Sequence, residues 1–101
     1  MKILVLLHPA EGASPAQMGP HLADETRHAY ELYTQDVVRE IYFRKDAPGA
    51  VMMLEAKDVE EASRIVDSLP LAKHGFIKPQ IIPLGPFAVW DRLTPAPAKQ
   101  S

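Results

Sequence analysis

The hydrophobic pattern along the chain switches repeatedly between a strand-like and a helix-like period. The first apolar run, residues 2–8, is continuous, which is typical of a strand that is covered on both faces. Later stretches repeat their apolar residues every three to four positions, as amphipathic helices do. The pattern predicts six elements, in the order strand, helix, strand, strand, helix, strand: residues 2–8, about 14–34, 37–44, 50–56, 58–69 and 76–84.

Local signals indicate where the two helices begin. The segment 14–17 (Ser-Pro-Ala-Gln) combines an N-cap, a first-turn proline and a capping-box glutamine, while Pro20 offers a second possible start. Asp58 and Glu61 have the spacing of a second capping box, and Pro70 ends the second helix. Both helix starts are therefore predicted from side chains that satisfy backbone N–H groups.

Turn and proline positions constrain the strands. Residues 45–49 contain Pro48 and Gly49, so the strands on either side are predicted to form an antiparallel hairpin. Pro79 and Pro83 cannot donate to a ladder, which predicts an edge position or a bulge for the last strand.

The order βαββαβ predicts an α+β, ferredoxin-like fold with a four-stranded antiparallel sheet and two helices on one face. The strands nevertheless carry apolar residues on both faces, and a large apolar face is not stable in water. We therefore expect a second copy to cover the open face, sheet to sheet, in a homodimer or a larger homo-oligomer.

The length of 101 residues predicts one domain, spanning residues 1–90. The C-terminal segment 91–101 is rich in proline and poor in apolar residues from about residue 94, so we expect a largely disordered tail there. Trp90 is interpreted as a packing residue at the point where this segment folds back or crosses to a partner.

Composition narrows the classes of function. The chain has no cysteine, which excludes a disulfide framework, a cysteine-ligated metal and a thiol nucleophile. The net charge of −2 gives no basic surface, so no nucleic-acid or membrane partner is expected. The lack of cysteine fits a cytosolic protein, so a cytoplasmic location is predicted. No glycine-rich phosphate loop or dinucleotide fingerprint is present, which leaves cofactor-free chemistry or simple ligand binding.

One flank of the first helix gathers three titratable residues. With Leu22 placed at the centre of the buried stripe, Glu25 lies about 60° from it, and His21 and His28 lie about 100–120° away on the same side. A half-buried carboxylate between two imidazoles suits proton transfer. Burial raises the pKa of a carboxylate and a nearby imidazolium lowers it, so the sequence leaves the net direction open.

Two other interpretations of this flank stay open. Glu25 can simply pair with one of the histidines at i,i+3 or i,i+4 spacing while both imidazoles are solvated. The three side chains can also converge on one metal ion, but a single helix supplies no supporting ligand set, so no metal is predicted.

Further candidates lie on the strands. His8 ends the first strand, where it either lines a pocket or hydrogen-bonds to backbone. Tyr42 and Arg44 share one face of the second strand, and Arg44 either binds a substrate carboxylate bidentately or pairs with Glu55 across the hairpin. His74 is interpreted as a turn residue without a functional role.

Several segments resemble the muconolactone δ-isomerase family, whose wider relatives include the YCII-like proteins and the antibiotic-biosynthesis monooxygenases. The similarity covers about residues 14–85. The segments that carry it are Met18-Gly19-Pro20 followed by Leu22-Ala23-Asp24-Glu25, Ile41-Tyr42-Phe43-Arg44, Asp58-Val59-Glu60-Glu61-Ala62, and Leu69-Pro70-Leu71.

This resemblance implies a dimeric α+β barrel, with a pocket between sheet and helices and cofactor-free proton transfer on a small lactone. It assigns Glu25 and Arg44 as the matching polar positions. The sequence departs from the family in its first strand, where only Lys2 stands for the family's lysine and His8 ends the strand, and after Leu84.

The resulting hypothesis is a cofactor-independent isomerase acting on a small lactone or an enolisable acid. Glu25 would shuttle the proton with help from His8, His21 or His28, and Arg44 and Tyr42 would bind the substrate. Two alternatives remain open. One is a non-catalytic dimeric protein that binds a small molecule in an accessory role. The other is a cofactor-free monooxygenase of a phenolic or polyketide substrate.

Overall fold

A computed structural model describes residues 1–93, and the tail predicted from residue 94 lies outside the described residues. Within that range the predicted order of strands and main helices is confirmed. The elements are β1 (Lys2–Pro9), α1 (Pro15–Met18), a 3₁₀ turn (Gly19–His21), α2 (Leu22–Thr34), β2 (Val38–Phe43), β3 (Ala50–Glu55), α3 (Val59–Asp67), α4 (Pro70–Lys73), β4 (Ile77–Pro83) and a second 3₁₀ turn (Ala88–Arg92).

The four strands form one antiparallel sheet in the order β2-β3-β1-β4. The central strand β1 pairs with β3 on one side and β4 on the other, so that Ile3 lies opposite both Leu54 and Pro83. Strand β4 is an edge strand, as its prolines predicted. The fold is thus α+β and ferredoxin-like, with the helices on one face.

The core lies between that face and the helices. Its fully buried residues come from strands β1, β2 and β3, from α3 and from the residue before α4. They are Ile3, Val5, Val38, Met52, Leu54, Ala62, Val66 and Leu69. Each large apolar side chain buried in this way stabilises the fold by roughly 1.5–3 kcal/mol. The continuous run in β1 is explained by alternate residues that contribute to this core.

The other residues of the same strands form a second apolar surface, called here the open face. The strand registers place Leu4 opposite Met53 and Ile82, and Leu6 opposite Val51. None of these five side chains is fully buried in the single chain. The predicted two-sided apolar character of the sheet is therefore present, with helices on one side only.

Both predicted helix starts are used. Ser14 forms the predicted capping box with Gln17, but α1 is only one turn long, and the 3₁₀ turn containing Pro20 leads into α2. Asp58 caps α3 as predicted by accepting from the backbone N–H of Glu61. The Glu61 side chain accepts from the N–H of Lys57 instead of Asp58, so the second capping box is displaced by one residue.

The inward face of α2 differs from the predicted one. Leu22, placed at the centre of the buried stripe, is 49% exposed. The less exposed positions are instead Glu25, His28, Ala29 and Leu32, and Leu32 packs against the core. The helix is oriented by its packing against β2 and α4, which rotates the stripe away from its most apolar residue. Glu25 and His28 therefore lie on the inward face and not on its flank.

The chain beyond β4 carries exposed aromatic residues. The backbone N–H of Leu84 donates to the carbonyl of Lys2, which ends the pairing with the sheet. Phe87 and Trp90 then meet edge to face, with ring centroids 5.0 Å apart. Trp90 stays 61% exposed, so in the single chain the segment does not fold back to bury it. No helix among residues 1–93 is both long and apolar enough to cross a membrane.

Candidate functional site

Glu25 ties α2 to α4 through its carboxylate. Oε1 accepts a hydrogen bond from the backbone N–H of Leu71 at 2.9 Å. Leu71 follows Pro70 in the first turn of α4, where backbone N–H groups have no acceptor inside the helix. The carboxylate thus satisfies a donor that would otherwise be unpaired, and Oε2 is left as the oxygen free for other chemistry.

The environment of Glu25 raises the pKa of its carboxyl group above the ordinary value of 4.5. Burial is the largest cause, because it disfavours the charged form. The N–H of Leu71 and the positive charge of protonated His28 both lower the pKa, but by less. The pKa shift of Glu25, whose direction the sequence left open, is therefore upward. An upward shift moves the pKa of the carboxyl towards the range useful for proton transfer near neutral pH.

His28 is held by a residue that the sequence did not single out. Its Nε2 lies 2.7 Å from the Ser68 hydroxyl, at the C-terminal end of α3. Nδ1 lies 3.9 Å from Glu31 Oε2, one turn further along α2. Ser68 is near the end of a predicted helix, and that position is the only signal by which the sequence could have indicated it.

His28 and Ser68 border a shallow, open cleft of about 240 Å³. Its lining is mostly charged and consists of Asp24, Arg27, His28, Glu31, Ser68, Pro70 and Lys73. A larger cleft of about 470 Å³ lies at the other end of α2, around Tyr33 and Arg39, and includes none of the candidate residues. The smaller cleft is the relevant one because His28 lines it, whereas Glu25 lines neither of the two clefts.

His21 packs against aromatic rings and is not hydrogen-bonded to Glu25. Its ring centroid is 4.0 Å from that of His74 and 5.7 Å from that of Phe76. His74, interpreted as a turn residue without a role, therefore contributes to a three-ring cluster beside the start of α2. The alternative in which Glu25 pairs with a neighbouring histidine is replaced by the bond to Leu71.

The shared metal ion is not supported by this geometry. His21 stacks on His74, Glu25 accepts from a backbone N–H, and His28 contacts Ser68. Within residues 1–93 no group of three or more metal-ligating side chains is brought together.

His8 lies on the open face, on the opposite side of the sheet from Glu25. The burial of Leu7 on the helix side places the next side chain on the other side, since strand residues alternate. His8 Nε2–H donates to the side-chain oxygen of Gln80 at 3.0 Å. The expectation that His8 works beside Glu25 is thus wrong for a single chain, in which its side chain bonds to Gln80.

Tyr42 and Arg44 are each paired with a carboxylate two residues away in the sequence. Tyr42 pairs with Val51 on the open face and donates to Glu40 at 2.8 Å, and this hydrogen bond raises the pKa of the Tyr42 hydroxyl. Arg44 donates twice to Asp46, at 2.9 and 2.8 Å, within the loop that follows β2. This bidentate bond raises the pKa of Arg44 and lowers the pKa of Asp46.

The predicted pair between Arg44 and Glu55 is wrong. The backbone of Arg44 bonds to Gly49, whereas the N–H of Glu55 bonds to Val37 at the other end of the hairpin. The two side chains are thus separated by the length of β3. Glu55 instead lies 3.4 Å from the N-terminal amine.

The chain was compared with known proteins. No family model and no curated protein matches the sequence. One similar solved structure is 5-chloro-2-hydroxyhydroquinone dehydrochlorinase from Burkholderia phenoliruptrix AC1100 in complex with 2,5-dihydroxybenzoquinone, with a TM-score of 0.69 and 16% identity over 84% of this chain and 94% of that chain. Another is muconolactone isomerase, with a TM-score of 0.66 and 20% identity over 83% of this chain and 88% of that chain.

The chain has a muconolactone isomerase-like fold. The resemblance carried by the sequence motifs is confirmed at that level. Both similar structures are enzymes that act on small molecules, so the fold is one that supports small-molecule catalysis. At this identity the likeness carries the fold alone, and the activity of this chain depends on its own residues.

The raised pKa of Glu25 makes a prediction about stability. As pH rises above 4.5, the unfolded chain loses this proton before the folded chain does. The free energy of unfolding of the wild type therefore falls until the pH has passed the pKa of Glu25 in the folded chain. Glu25→Gln keeps an oxygen for the N–H of Leu71 but has no charge to desolvate. We expect the variant to be more stable than the wild type at neutral pH.

Urea unfolding followed by circular dichroism, at neutral pH and again below pH 4.5, tests this expectation. The advantage of Glu25→Gln is expected to disappear below pH 4.5, where both folded and unfolded wild-type chains are protonated at this position. A difference in unfolding free energy that is the same at both pH values would show that the charge of Glu25 is not the cause.

Proposed function

We propose that this protein is a cofactor-independent isomerase that moves a proton within a small lactone or an enolisable acid. The observation that carries the proposal is the half-buried Glu25 carboxylate, fixed by the N–H of Leu71 and raised in pKa by burial. The likeness to two small-molecule enzymes supports it. A carboxylate with these properties can take and return a proton without a metal or an organic cofactor.

In the proposed reaction Glu25 acts first as base and then as acid. Oε2 takes a proton from the carbon next to the substrate carbonyl, and the electron pair of that C–H bond forms an enolate. The same carboxylic acid then returns the proton at the far carbon of the conjugated system, which shifts the double bond. No net proton or electron is gained, so the reaction is an isomerisation.

The other candidate residues divide by their place in the fold. His28 is proposed to assist, because its charge acts on the pKa of Glu25 and its ring borders the cleft. His21 is proposed to line the approach to the site with His74. His8 and Tyr42 lie on the open face and are left out of this site, and Arg44 can hold an anionic group only by exchanging Asp46 for it.

Proton transfer can be tested without knowing the best substrate. The protein is incubated in D₂O with muconolactone and related lactones, and deuterium at the carbon next to the carbonyl is followed by NMR. Exchange faster than in buffer, absent in Glu25→Gln, is the expected result. If no lactone exchanges faster than in buffer, the proposal fails. Binding titrations and oxygen consumption with phenols then test the accessory and monooxygenase alternatives.

We further propose that a second copy covers the open face. The apolar side chains of Leu4, Leu6 and Met53 lie together on it, and no helix of the described chain packs there. The exposed Phe87 and Trp90 beyond β4 offer additional apolar surface for association. Burying such surfaces between copies is a large favourable term for association.

Leu4→Glu tests this proposed interface. Leu4 lies on the central strand between Met53 and Ile82, so a charge there would be buried without a partner in a sheet-to-sheet dimer. We expect the dissociation constant of the dimer to rise by at least about 100-fold. This corresponds to about 2.8 kcal/mol, because each tenfold change is about 1.4 kcal/mol. Size-exclusion chromatography with light scattering measures it.

The control is Leu22→Glu, which makes the same substitution at a 49% exposed position on α2. It is expected to leave the assembly unchanged. A wild type that is monomeric at micromolar concentration, or a Leu4→Glu variant that associates like the wild type, would contradict the proposed interface.

A further inference from the structure

The hydroxyl of Ser68 makes two short contacts that can be assigned by counting its single proton. Oγ lies 2.6 Å from the backbone carbonyl of Ile65 and 2.7 Å from Nε2 of His28. A carbonyl oxygen only accepts, so two oxygens this close require a hydrogen between them. The proton of Ser68 is therefore directed to Ile65, and the contact with His28 must take its hydrogen from the imidazole.

From this geometry we infer that Ser68 is a positioning residue that fixes His28 in the tautomer with hydrogen on Nε2. In a neutral imidazole one nitrogen donates and the other accepts. With Nε2–H committed to Ser68, the lone pair is on Nδ1. Which nitrogen of a histidine can take a proton is commonly set by the hydrogen bond that the other nitrogen makes.

Nδ1 of His28 is correspondingly the nitrogen open to proton exchange. Glu31 Oε2 lies 3.9 Å away, beyond hydrogen-bond distance for the neutral ring but suitable for an ion pair once Nδ1 is protonated. Asp24 and Arg27 of α2 and Lys73 of α4 are the other charged groups along the same cleft. The ring is thus held at Nε2 by one helix while Nδ1 remains available to the cleft.

Ser68 itself is well placed for this task. It is the C-cap of α3, and its own backbone N–H bonds to the carbonyls of Arg64 and Ile65. Its backbone and side chain are therefore both anchored to the last turn of the helix. An anchored hydroxyl orients the imidazole more firmly than a freely rotating one, because less conformational freedom is lost when the contact forms.

The tautomer can be observed directly. Long-range ¹H–¹⁵N spectra of the imidazole side chains, recorded above the titration range of histidine, distinguish a nitrogen that carries hydrogen from one that does not. The wild type is expected to show Nε2 protonated and Nδ1 unprotonated, with an Nε2–H signal protected from solvent. Ser68→Ala is expected to lose that protected signal, and Ser68→Thr, which keeps the hydroxyl, is expected to retain it.

His8 is an internal control in the same spectra. It lies on the open face, bonded to Gln80, so its signals should not change in Ser68→Ala. Hydrogen on Nδ1 of His28 in the wild type would overturn the inference, as would identical His28 spectra in the wild type and Ser68→Ala.

A catalytic consequence rests on the proposed isomerase function. With a lactone that exchanges, we expect Ser68→Ala to lower kcat by at least about tenfold with little change in KM, since a wrongly oriented imidazole costs up to ~10⁴-fold in the serine protease triad. Absence of any turnover would remove this consequence and the proposed function but leave the tautomer measurement standing. An unchanged kcat with an altered tautomer would show that His28 does not assist the reaction.

Discussion

Glu25→Gln is expected to reduce the rate of proton transfer by about 10²–10⁴-fold, the range typical of general acid–base catalysis. The amide oxygen can still accept from the N–H of Leu71, so the contact between α2 and α4 is kept. The amide cannot take a proton from carbon. The variant therefore separates chemistry from folding, and the expected loss is in kcat and kcat/KM together because the lost interaction forms only in the transition state.

The pH dependence adds a second, independent readout. A base must be ionised before it can accept a proton, so kcat/KM of the wild type should rise with pH through the pKa of Glu25 in the free protein. Since burial raises that pKa, the midpoint is expected above 4.5. A midpoint at or below 4.5 would mean that the ionising group seen in the rates is not this carboxyl.

Glu60→Gln is the matched control for the kinetic experiment. It changes a carboxylate to an amide on the exposed first turn of α3, away from the cleft. It should keep wild-type kinetics. Turnover in Glu25→Gln comparable to that of Glu60→Gln would remove Glu25 from the mechanism, whereas failure of Glu25→Gln to fold would be detected by the unfolding measurements described above.

The sequence predicted the scaffold well, because the deciding signals are local. The two-sided apolar run of β1, the capping box at Ser14 and the cap at Asp58 each act within a few residues. The prolines of β4 predicted an edge strand because a missing N–H has the same consequence in any sheet. These features do not depend on how distant parts of the chain pack.

Two of the wrong predictions at the site concern the face of a strand and the register of the hairpin. Strand alternation from Leu7 already places His8 on the opposite face from the helices. Counting the hairpin from its turn already separates Arg44 from Glu55, since Arg44 lies beside Gly49. The separation of Arg44 from Glu55 follows from the hairpin register, whereas the face of His8 also depends on which side of β1 the helices cover, which the burial of Leu7 shows.

Other features could not have been predicted from residue types. The inward face of α2 is set by its packing against other elements. A helical wheel centred on Leu22 therefore predicted the wrong face, because Leu22 is exposed. The partner of Glu25 is the backbone N–H of Leu71, and a backbone group leaves no mark in the sequence. The contact between His28 and Ser68 joins two helices 40 residues apart, which only the tertiary fold brings together.

Gly49→Ala is expected to be strongly destabilising. Gly49 follows the loop that carries Arg44 and has φ of +126°, a conformation that side-chain-bearing residues rarely adopt. An added Cβ would lie 2.7 Å from the carbonyl oxygen of Leu7. That oxygen belongs to the central strand, where Leu7 lies opposite Ala50, so it cannot move away without disturbing the pairing of β1 and β3.

We expect a loss of about 3 kcal/mol or more, from roughly 1–3 kcal/mol of backbone strain plus the steric contact. For a domain of this size each kcal/mol corresponds to about 4–8 °C in Tm, so thermal unfolding should show a decrease of at least about 12 °C. Such a loss is a large fraction of a typical stability of about 5–15 kcal/mol.

Two glycines separate the causes. Gly12 also has a positive φ, +82°, but an added Cβ there meets nothing within 4 Å, so Gly12→Ala reports backbone strain alone. An added Cβ at Gly85 also meets nothing within 4 Å, and Gly85→Ala should stay within about 0.5 kcal/mol of the wild type. Gly49→Ala must be clearly worse than Gly12→Ala, because only Gly49 combines strain with contact. Equal losses at the two positions would mean that the loop does not approach β1 as closely as 2.7 Å.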